Sequence, residues 1–257
     1  MFSPTEAARF LDEAHRARAR YQNLPDAIAP TTFDDAYAAQ EALVALWQPR
    51  LGAIVGRKIA VTTKVMQELM GIDHPCGGTI FASRVHRSPA RISNADFVNV
   101  RIECELAVRV DRDLPKGPKP YTRESAREAV SEIMAAFELI EDRKADYKSC
   151  KALSLIADNA WNGGIVVGAA KAPLAGSDLN GITGRLTRNG KQELGGKTDD
   201  PMGALAWVAN LAADRGRPLE AGMVVITGSV VPTIDIAPGE RLEFALEDVG
   251  EVSMTAA

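Results

Sequence analysis

The chain is short of the residues that would mark several common protein classes. Only three cysteines occur in 257 residues, Cys76, Cys104 and Cys150. They are odd in number, widely spaced and form no C-x-x-C pair, which excludes a disulfide framework and a zinc knuckle and fits a reducing cytoplasm. Aromatics make up 5% of the residues, and no basic run or aromatic-plus-arginine patch accompanies the net charge of −4, so nucleic acid is not the expected partner. No uncharged stretch approaches membrane-spanning length. Met1-Phe2-Ser3-Pro4-Thr5-Glu6 opens straight into an amphipathic segment without an apolar leader core. The expected protein is soluble, unexported and cytoplasmic, without a membrane partner. With three histidines, and no His-x-x-Glu, a histidine-centred site has little to draw on. His74, in a loop, is one candidate, either catalytic or merely solvated.

What is present is a globular composition, 46% hydrophobic and 25% charged, with no internal repeat or low-complexity tract. Helical spacing of Ala7, Ala8, Phe10, Leu11 and Ala14 after Ser3-Pro4 predicts a helix from Pro4 to about Tyr21. A second helix is expected from Asp34 to Gln48, and a seam near Gly52 divides an N-terminal helical subdomain, 1–52, from a larger domain, 53–257. Further helices are expected from Thr63 to Met70 and from Met202 to Ala213. Another begins near Thr122, where Ala126, Ala129, Val130, Ile133, Met134 and Phe137 have the i, i+3, i+4, i+7 spacing of a core-facing stripe. Gly71 to Gly78 reads as a loop, and Asn189-Gly190 as a type I′ hairpin turn. Strands are expected at Ile165–Gly168, at Met223–Ile226 and within Ile234–Thr255.

The chemistry concentrates on Arg101-Ile102-Glu103-Cys104-Glu105-Leu106-Ala107-Val108. On a strand Glu103 and Glu105 project from one face, while Ile102, Cys104 and Leu106 project from the other. Two adjacent anions repel. Either they face bulk water at a strand edge or a cation, best a divalent metal, compensates them. Glu138 is the natural third carboxylate, or else a surface residue at a helix end. Lys58 alternates with Gly56 and Ala60 on one face of Ile54–Thr62, as a solvated lysine or as an acid–base group given cleared space. Asp158 and Asn159 lie in a polar loop that ends in Gly163-Gly164, where local turn bonds would also account for them.

Five motifs occur in one order: Gly56-Arg57-Lys58-Ile59, Ile102-Glu103-Cys104-Glu105, Phe137-Glu138-Leu139-Ile140-Glu141, Ala157-Asp158-Asn159-Ala160 and Thr227-Gly228-Ser229. Together they make most of the chain resemble the 2-oxopent-4-enoate hydratase and 4-oxalocrotonate decarboxylase branch of the fumarylacetoacetate hydrolase superfamily. The resemblance implies an α+β fold, a mixed β-barrel or roll with an N-terminal helical part, and a homo-oligomer. It implies Mg²⁺ or Mn²⁺ on Glu103, Glu105 and Glu138, with Lys58 as the catalytic acid–base group. A small anionic 2-oxo or 2-hydroxy acid would be bound near Gly228, Ser229 and Asn159, with Cys76 and Trp161 shaping the distal pocket. Relatives usually carry an acidic residue where this chain has Cys76-Gly77-Gly78. The stretch Ser229-Val230-Val231-Pro232 looks like the hydratase form. The resemblance therefore implies a lyase that adds water to a 2-hydroxy-2,4-dienoate. A 4-oxalocrotonate-type decarboxylase is the alternative, followed by an acylpyruvate C–C hydrolase and a non-catalytic binding protein.

Overall fold

A computed structural model of the chain describes residues 2–257. Two helices lead, α1 (Pro4–Arg16) and α2 (Phe33–Leu51), followed by β1 (Ile54–Ala60), the short α3 (Lys64–Met70) and β2 (Cys76–Phe81). Strands β3 (Val85–Arg87), β4 (Ala90–Ile92) and the long β5 (Val100–Val110) come next, then α4 (Arg123–Arg127), β6 (Val130–Glu141), α5 (Ala152–Ala157) and β7 (Asn162–Val167). The hairpin β8 (Thr183–Arg188) and β9 (Lys191–Lys197) precedes α6 (Pro201–Asp214). Strands β10 (Val224–Ser229), β11 (Ile234–Asp235), β12 (Arg241–Leu246) and β13 (Gly250–Ala256) complete the chain.

Local chemistry explains most boundaries. Ser3, Thr32 and Thr63 each accept a backbone N–H from the first turn that follows, and so start α1, α2 and α3. Asn189 and Gly190 take φ of 51° and 79°, the positive pair that a type I′ turn needs. The helix expected from Thr122 through Phe137 is corrected. Only Arg123–Arg127 is helical, and Val130–Glu141 is a strand paired with β5 along its length. Ile133, Met134, Ala135, Ala136, Phe137 and Leu139 are all buried, so the run is apolar on both faces and matches a helical stripe by coincidence. The loop expected through Gly78 likewise ends earlier, because Cys76–Phe81 pairs with β1.

The strands form two mixed sheets. One runs β2-β1-β10-β5-β6-β7-β3, with β11 also on β5; the other runs β4-β13-β12-β8-β9. No closed barrel forms among the described residues, and the α+β class stands. One face of the larger sheet carries Ile102, Cys104, Leu106 and Phe137 into a core shared with Phe244, Val252 and Met254 of the smaller sheet and Leu205 of α6. Its other face buries a second apolar group, Ala107, Met134, Ala136, Ile165 and Ile226. The carboxylates sit on this second face. Helices α1 and α2 pack together through Leu11, Leu43 and Trp47, and α2 lies against α5. Among the described residues no helix is long and apolar enough to cross a membrane.

Candidate active site

Register brings the three glutamates together. Glu103 of β5 stands directly opposite Glu138 of β6, and Glu105 follows two residues along the same face. Their carboxylate oxygens can all lie within 4.8 Å of one another. Glu105 and Glu138 are fully buried and Glu103 is partly exposed. Each acid accepts a hydrogen bond from an uncharged protein group, and Glu138 also meets the Lys58 ammonium. The Thr233 hydroxyl donates to Glu103 Oε1, the Gly228 N–H donates to Glu105 Oε2 at 2.7 Å, and Asn162 Nδ2 donates to Glu138 Oε1 at 2.9 Å. Among the described residues Glu105 Oε1 and Glu138 Oε2 have no hydrogen-bond partner. Burial pushes the Glu138 carboxyl up to about 7 despite the nearby ammonium of Lys58. Burial, together with the charges of Glu138 and Glu103, holds Glu105 well above the ordinary carboxylate range.

Lys58 is not a surface lysine. It is 2% exposed, with Nζ 2.8 Å from Glu138 Oε1 and donating to Ala160 O at 3.0 Å. Burial opposes its charge, but the Glu138 and Glu103 carboxylates outweigh burial and raise its pKa, so it is held as an ammonium. The carbonyl it meets belongs to an unusual turn. Asn159, Ala160 and Trp161 have φ of 52°, 47° and 55°, three consecutive left-handed residues, none of them glycine. The Asn159 amide clamps the turn to β2, accepting from Thr79 N at 2.7 Å and donating to Thr79 O at 2.9 Å. Asp158, just before it, is held by Arg143 and by His15 Nε2 at 2.7 Å. Glycine at position 78 makes the approach possible, since a Cβ there would lie 2.7 Å from Asn159 O and 3.0 Å from Lys58 Cγ.

The end of β10 completes the wall. Ile226 pairs with Ala107 but Ser229 with Glu105, so β10 holds one extra residue, a bulge at Thr227-Gly228. Gly228 takes φ +113°, which turns its N–H onto Glu105. Ser229 is exposed, and its hydroxyl donates to Val231 O at 2.6 Å. Beside these groups opens a cavity of about 480 Å³. Its wall includes the polar groups Lys58, Glu103, Gly228, Ser229 and Thr233 and a set of larger apolar and aromatic side chains, Met66, Met70, Ile140, Tyr147, Leu155 and Trp161.

The structure thus gathers Lys58, Glu103, Glu105, Glu138, Gly228 and Ser229, and it corrects two other expectations. Asn159 is 1% exposed, is absent from the cavity wall and has its amide engaged by β2, so it supports the turn instead of meeting a substrate. Cys76 is fully buried in an apolar cluster with Tyr37 and Met70 and does not line the cavity; burial pushes its thiol up to about 12. Trp161 does line it, as expected, whereas His74 contacts Pro75 O and the rings of Phe33 and Trp207 instead. The Gly228 amide, expected near a substrate carboxylate, is engaged by Glu105. Reading the sequence missed Asn162, Thr233 and the Ala160 carbonyl. Asn162 had a signal, a polar residue opening a strand beside Glu138; the other two depend on loop geometry.

The residues fit a divalent cation. Three carboxylates beside one ammonium leave two negative charges when all are ionised, one oxygen of each glutamate lies within 4.8 Å of the others, and Glu105 and Glu138 each keep a buried oxygen without a partner among the described residues. All-oxygen donors suit hard ions such as Mg²⁺, Mn²⁺ or Ca²⁺. A buried carboxylate triad next to a lysine, at the edge of a half-apolar cavity in a mixed sheet, defines a small-molecule site of the cation-assisted type. The sequence pattern of the fumarylacetoacetate hydrolase C-terminal family matches residues 75–256, and the chain belongs to that family. It is 30% identical to 2-keto-4-pentenoate hydratase 2 of Dechloromonas aromatica over 98% of this chain and 97% of that one. It is also 30% identical to 2-hydroxyhexa-2,4-dienoate hydratase of Comamonas testosteroni, with the same coverage. Its fold superposes on 4-oxalocrotonate decarboxylase from Pseudomonas putida G7, solved with magnesium and adipate, at a TM-score of 0.89 and 22% identity over 99% of this chain and 97% of that one.

Proposed function

We propose that the protein is a hydratase dependent on Mg²⁺ or Mn²⁺, held by Glu103, Glu105 and Glu138, that adds water to a 2-hydroxy-2,4-dienoate to give a 4-hydroxy-2-oxo acid. We place it in the cytoplasm as a homo-oligomer, as the family resemblance implies. The observation that carries the reading is the division of the cavity. One half has Glu103, Lys58 and Ser229, with Glu105 and Glu138 buried next to Glu103; in the other half the described lining residues hold no charge.

A divalent cation bound there supplies Lewis-acid chemistry, stabilising negative charge that develops on a substrate oxygen. The chain's own groups do the rest. Ser229 stands at the rim where the substrate carboxylate enters, and the bulge at Gly228 fixes Glu105 behind it. In the net reaction the enol hydroxyl loses a proton and C5 gains one; water then adds its hydroxyl to C4 while C3 takes the other proton. Lys58 Nζ, restrained by Glu138 and Ala160 O, is the group that holds and moves a proton along that carbon skeleton. The aromatic and methionine wall keeps bulk water from the conjugated chain.

Decarboxylation of an oxo-enedioate is the second reading. That substrate carries a second carboxylate, and among the described lining residues Lys58 is the only cation, already paired with Glu138. Burying an unpaired carboxylate against methionine and tryptophan is costly, which favours the monoacid. Hydrolytic C–C cleavage would use a histidine–carboxylate pair, and the described lining residues include no histidine. The test generates the dienoate and the oxo-enedioate in situ with Mg²⁺, follows loss of conjugated absorbance and identifies the products by mass. Gain of one water by the monoacid is expected. Release of CO₂ from the diacid without hydration of the monoacid overturns the hydratase assignment, and no turnover of either with metal bound leaves a binding protein.

A further inference from the structure

The uncharged half of the cavity is larger than a five-carbon dienoate needs. At about 480 Å³ the whole cavity falls among pockets of about 300–1,000 Å³ that enclose drug-sized ligands. The wall begins close to the chemistry. Ile140 follows Glu138 by two residues on the same face of β6, about 6.6 Å along the strand, and continues into Met66, Met70, Leu155 and Trp161 within one apolar cluster. Met70 is the one residue that also lines a second cavity, of about 660 Å³, whose nearby wall includes Phe33, Ile72, Ala152 and Leu153. Thr63 caps α3 and so sets Met66 and Met70, one turn apart, on the cavity side, while Val65 and Leu69 point outwards. Unbranched methionines repack readily around apolar groups of different length.

We propose, building on the hydratase reading, that the preferred substrate carries an uncharged apolar substituent longer than methyl on its terminal carbon, and that Met70 is the specificity-determining residue that sets its length. The substrate's acid end is fixed at the triad and Ser229, so its far end can only extend along Ile140, Leu155 and Met66 towards Met70. A tail of a few carbons fills this half. A longer one must displace the Met70 side chain and emerge in the second cavity. A tail ending in a carboxylate finds no cation between Ile140 and Met70; beyond Met70 the second cavity offers only Lys151 among its described lining residues, already paired with Asp26 at 3.1 Å.

The test reads binding separately from turnover. Mg²⁺-loaded protein is titrated calorimetrically with saturated 2-oxo acids of about five, six, eight and ten carbons, which share the acid end and cannot be hydrated. Each buried methylene is worth about 0.8 kcal/mol, or about fourfold in affinity. Kd is expected to fall about threefold to fourfold per added carbon up to eight, and 2-oxoadipate is expected to bind more weakly than 2-oxohexanoate. Met70→Trp is expected to abolish the gain beyond six carbons, and Met70→Ala to carry it on to ten. A wild-type Kd that is flat or rises with length overturns the proposal, as does tighter binding of 2-oxoadipate. An unchanged length profile in folded Met70→Trp and Met70→Ala removes Met70 from the role. Turnover of dienoates with hydrogen, methyl, propyl or pentyl at the terminal carbon is then compared as kcat/KM. A length gain in binding without hydration of any dienoate sinks the hydratase reading and leaves the tail site standing. Hydration with a flat binding profile does the reverse.

Discussion

Replacing Asn159 with alanine is expected to lower both stability and turnover, although the residue touches neither the cavity nor the carboxylates. Three left-handed residues in sequence cost roughly 1–2 kcal/mol each, somewhat less for the asparagine, and only the surroundings keep them there. The largest local restraint is the pair of bonds between the Asn159 amide and Thr79 N and O, at 2.7 and 2.9 Å in a buried setting. Deleting the amide leaves a donor and an acceptor of β2 without partners, at about 1–3 kcal/mol for each group. Some relaxation of the turn recovers part of this, so a loss of about 3 kcal/mol is expected, or a fall of about 6–12 °C in Tm for a chain of this size. The relaxation is what matters for chemistry. Ala160 O then leaves Lys58 Nζ, the ammonium keeps only Glu138, and misplacement of an acid–base group by about 1 Å costs up to a hundred-fold in rate. The assay pairs a thermal melt with kcat per folded molecule and a Mg²⁺ titration. The expected result is a lower Tm, kcat down by roughly ten- to a hundred-fold, and Mg²⁺ affinity nearly retained. A variant that melts within about 1 °C of the parent, or melts early with full kcat, refutes the role given to the turn.

Other perturbations separate the remaining parts of the site. Lys58→Met is expected to cut kcat by about 10²–10⁴-fold while Mg²⁺ still binds by calorimetry; near-normal kcat would deny Lys58 its proton-transfer role. Glu105→Ala is expected to abolish Mg²⁺ binding, and Gly228→Ala to weaken it, because alanine strains φ +113° at roughly 1–3 kcal/mol and loosens the N–H bond that holds Glu105. In the metal-free protein Glu138 titrates near 7 against about 4.5 when unfolded, so between these values the native state holds more protons than the unfolded one. Its contribution to stability therefore falls as pH rises from about 4.5 to 7, and chelator-treated protein should show this slope while Glu138→Gln makes it shallower, the remainder belonging to Glu105, whose carboxyl pKa is also raised by burial. Mg²⁺ binding, which needs the ionised carboxylates, should tighten over the same range.

The parts of the fold that could be read from sequence are those with one wet face or one demanding turn. Helices α1 and α2 show a spacing that water on one side enforces, α3 begins with a capping threonine, and Asn189-Gly190 can hardly be anything but a hairpin turn. Where both faces are dry the period disappears. Val130–Glu141 has apolar neighbours on each side of the sheet, so i, i+3 and i+4 are all apolar whichever structure forms, and the helix reading had nothing to oppose it. Cys76–Gly78, the first half of a strand buried along its whole length, reads as part of a loop for the same reason, helped by two glycines that are there to admit neighbours, not to turn the chain.

The same dryness makes the site easier to see than the strands that carry it. In a strand exposed on one face a glutamate is unremarkable, and E-x-E needs no explanation. In a sheet buried on both faces every ionisable group has to be answered by a partner, so Lys58, Glu103, Glu105 and Glu138 stand out against glycine, alanine, isoleucine and phenylalanine neighbours. What the sequence cannot show is which partner answers which group. Gly228 and Asn159 look like ligand contacts because they sit in motifs beside the acids, yet one anchors Glu105 and the other anchors the turn that meets Lys58. The Gly228 backbone N–H and the Asn159 side-chain amide are both engaged by the protein itself, which leaves Glu105 Oε1 and Glu138 Oε2 buried without a partner among the described residues and free for a cation. On the proposed reading substrate recognition then falls to two residues inside those motifs, Ser229 at the rim and Ile140 beside Glu138, and to the methionines of α3, which no motif marks.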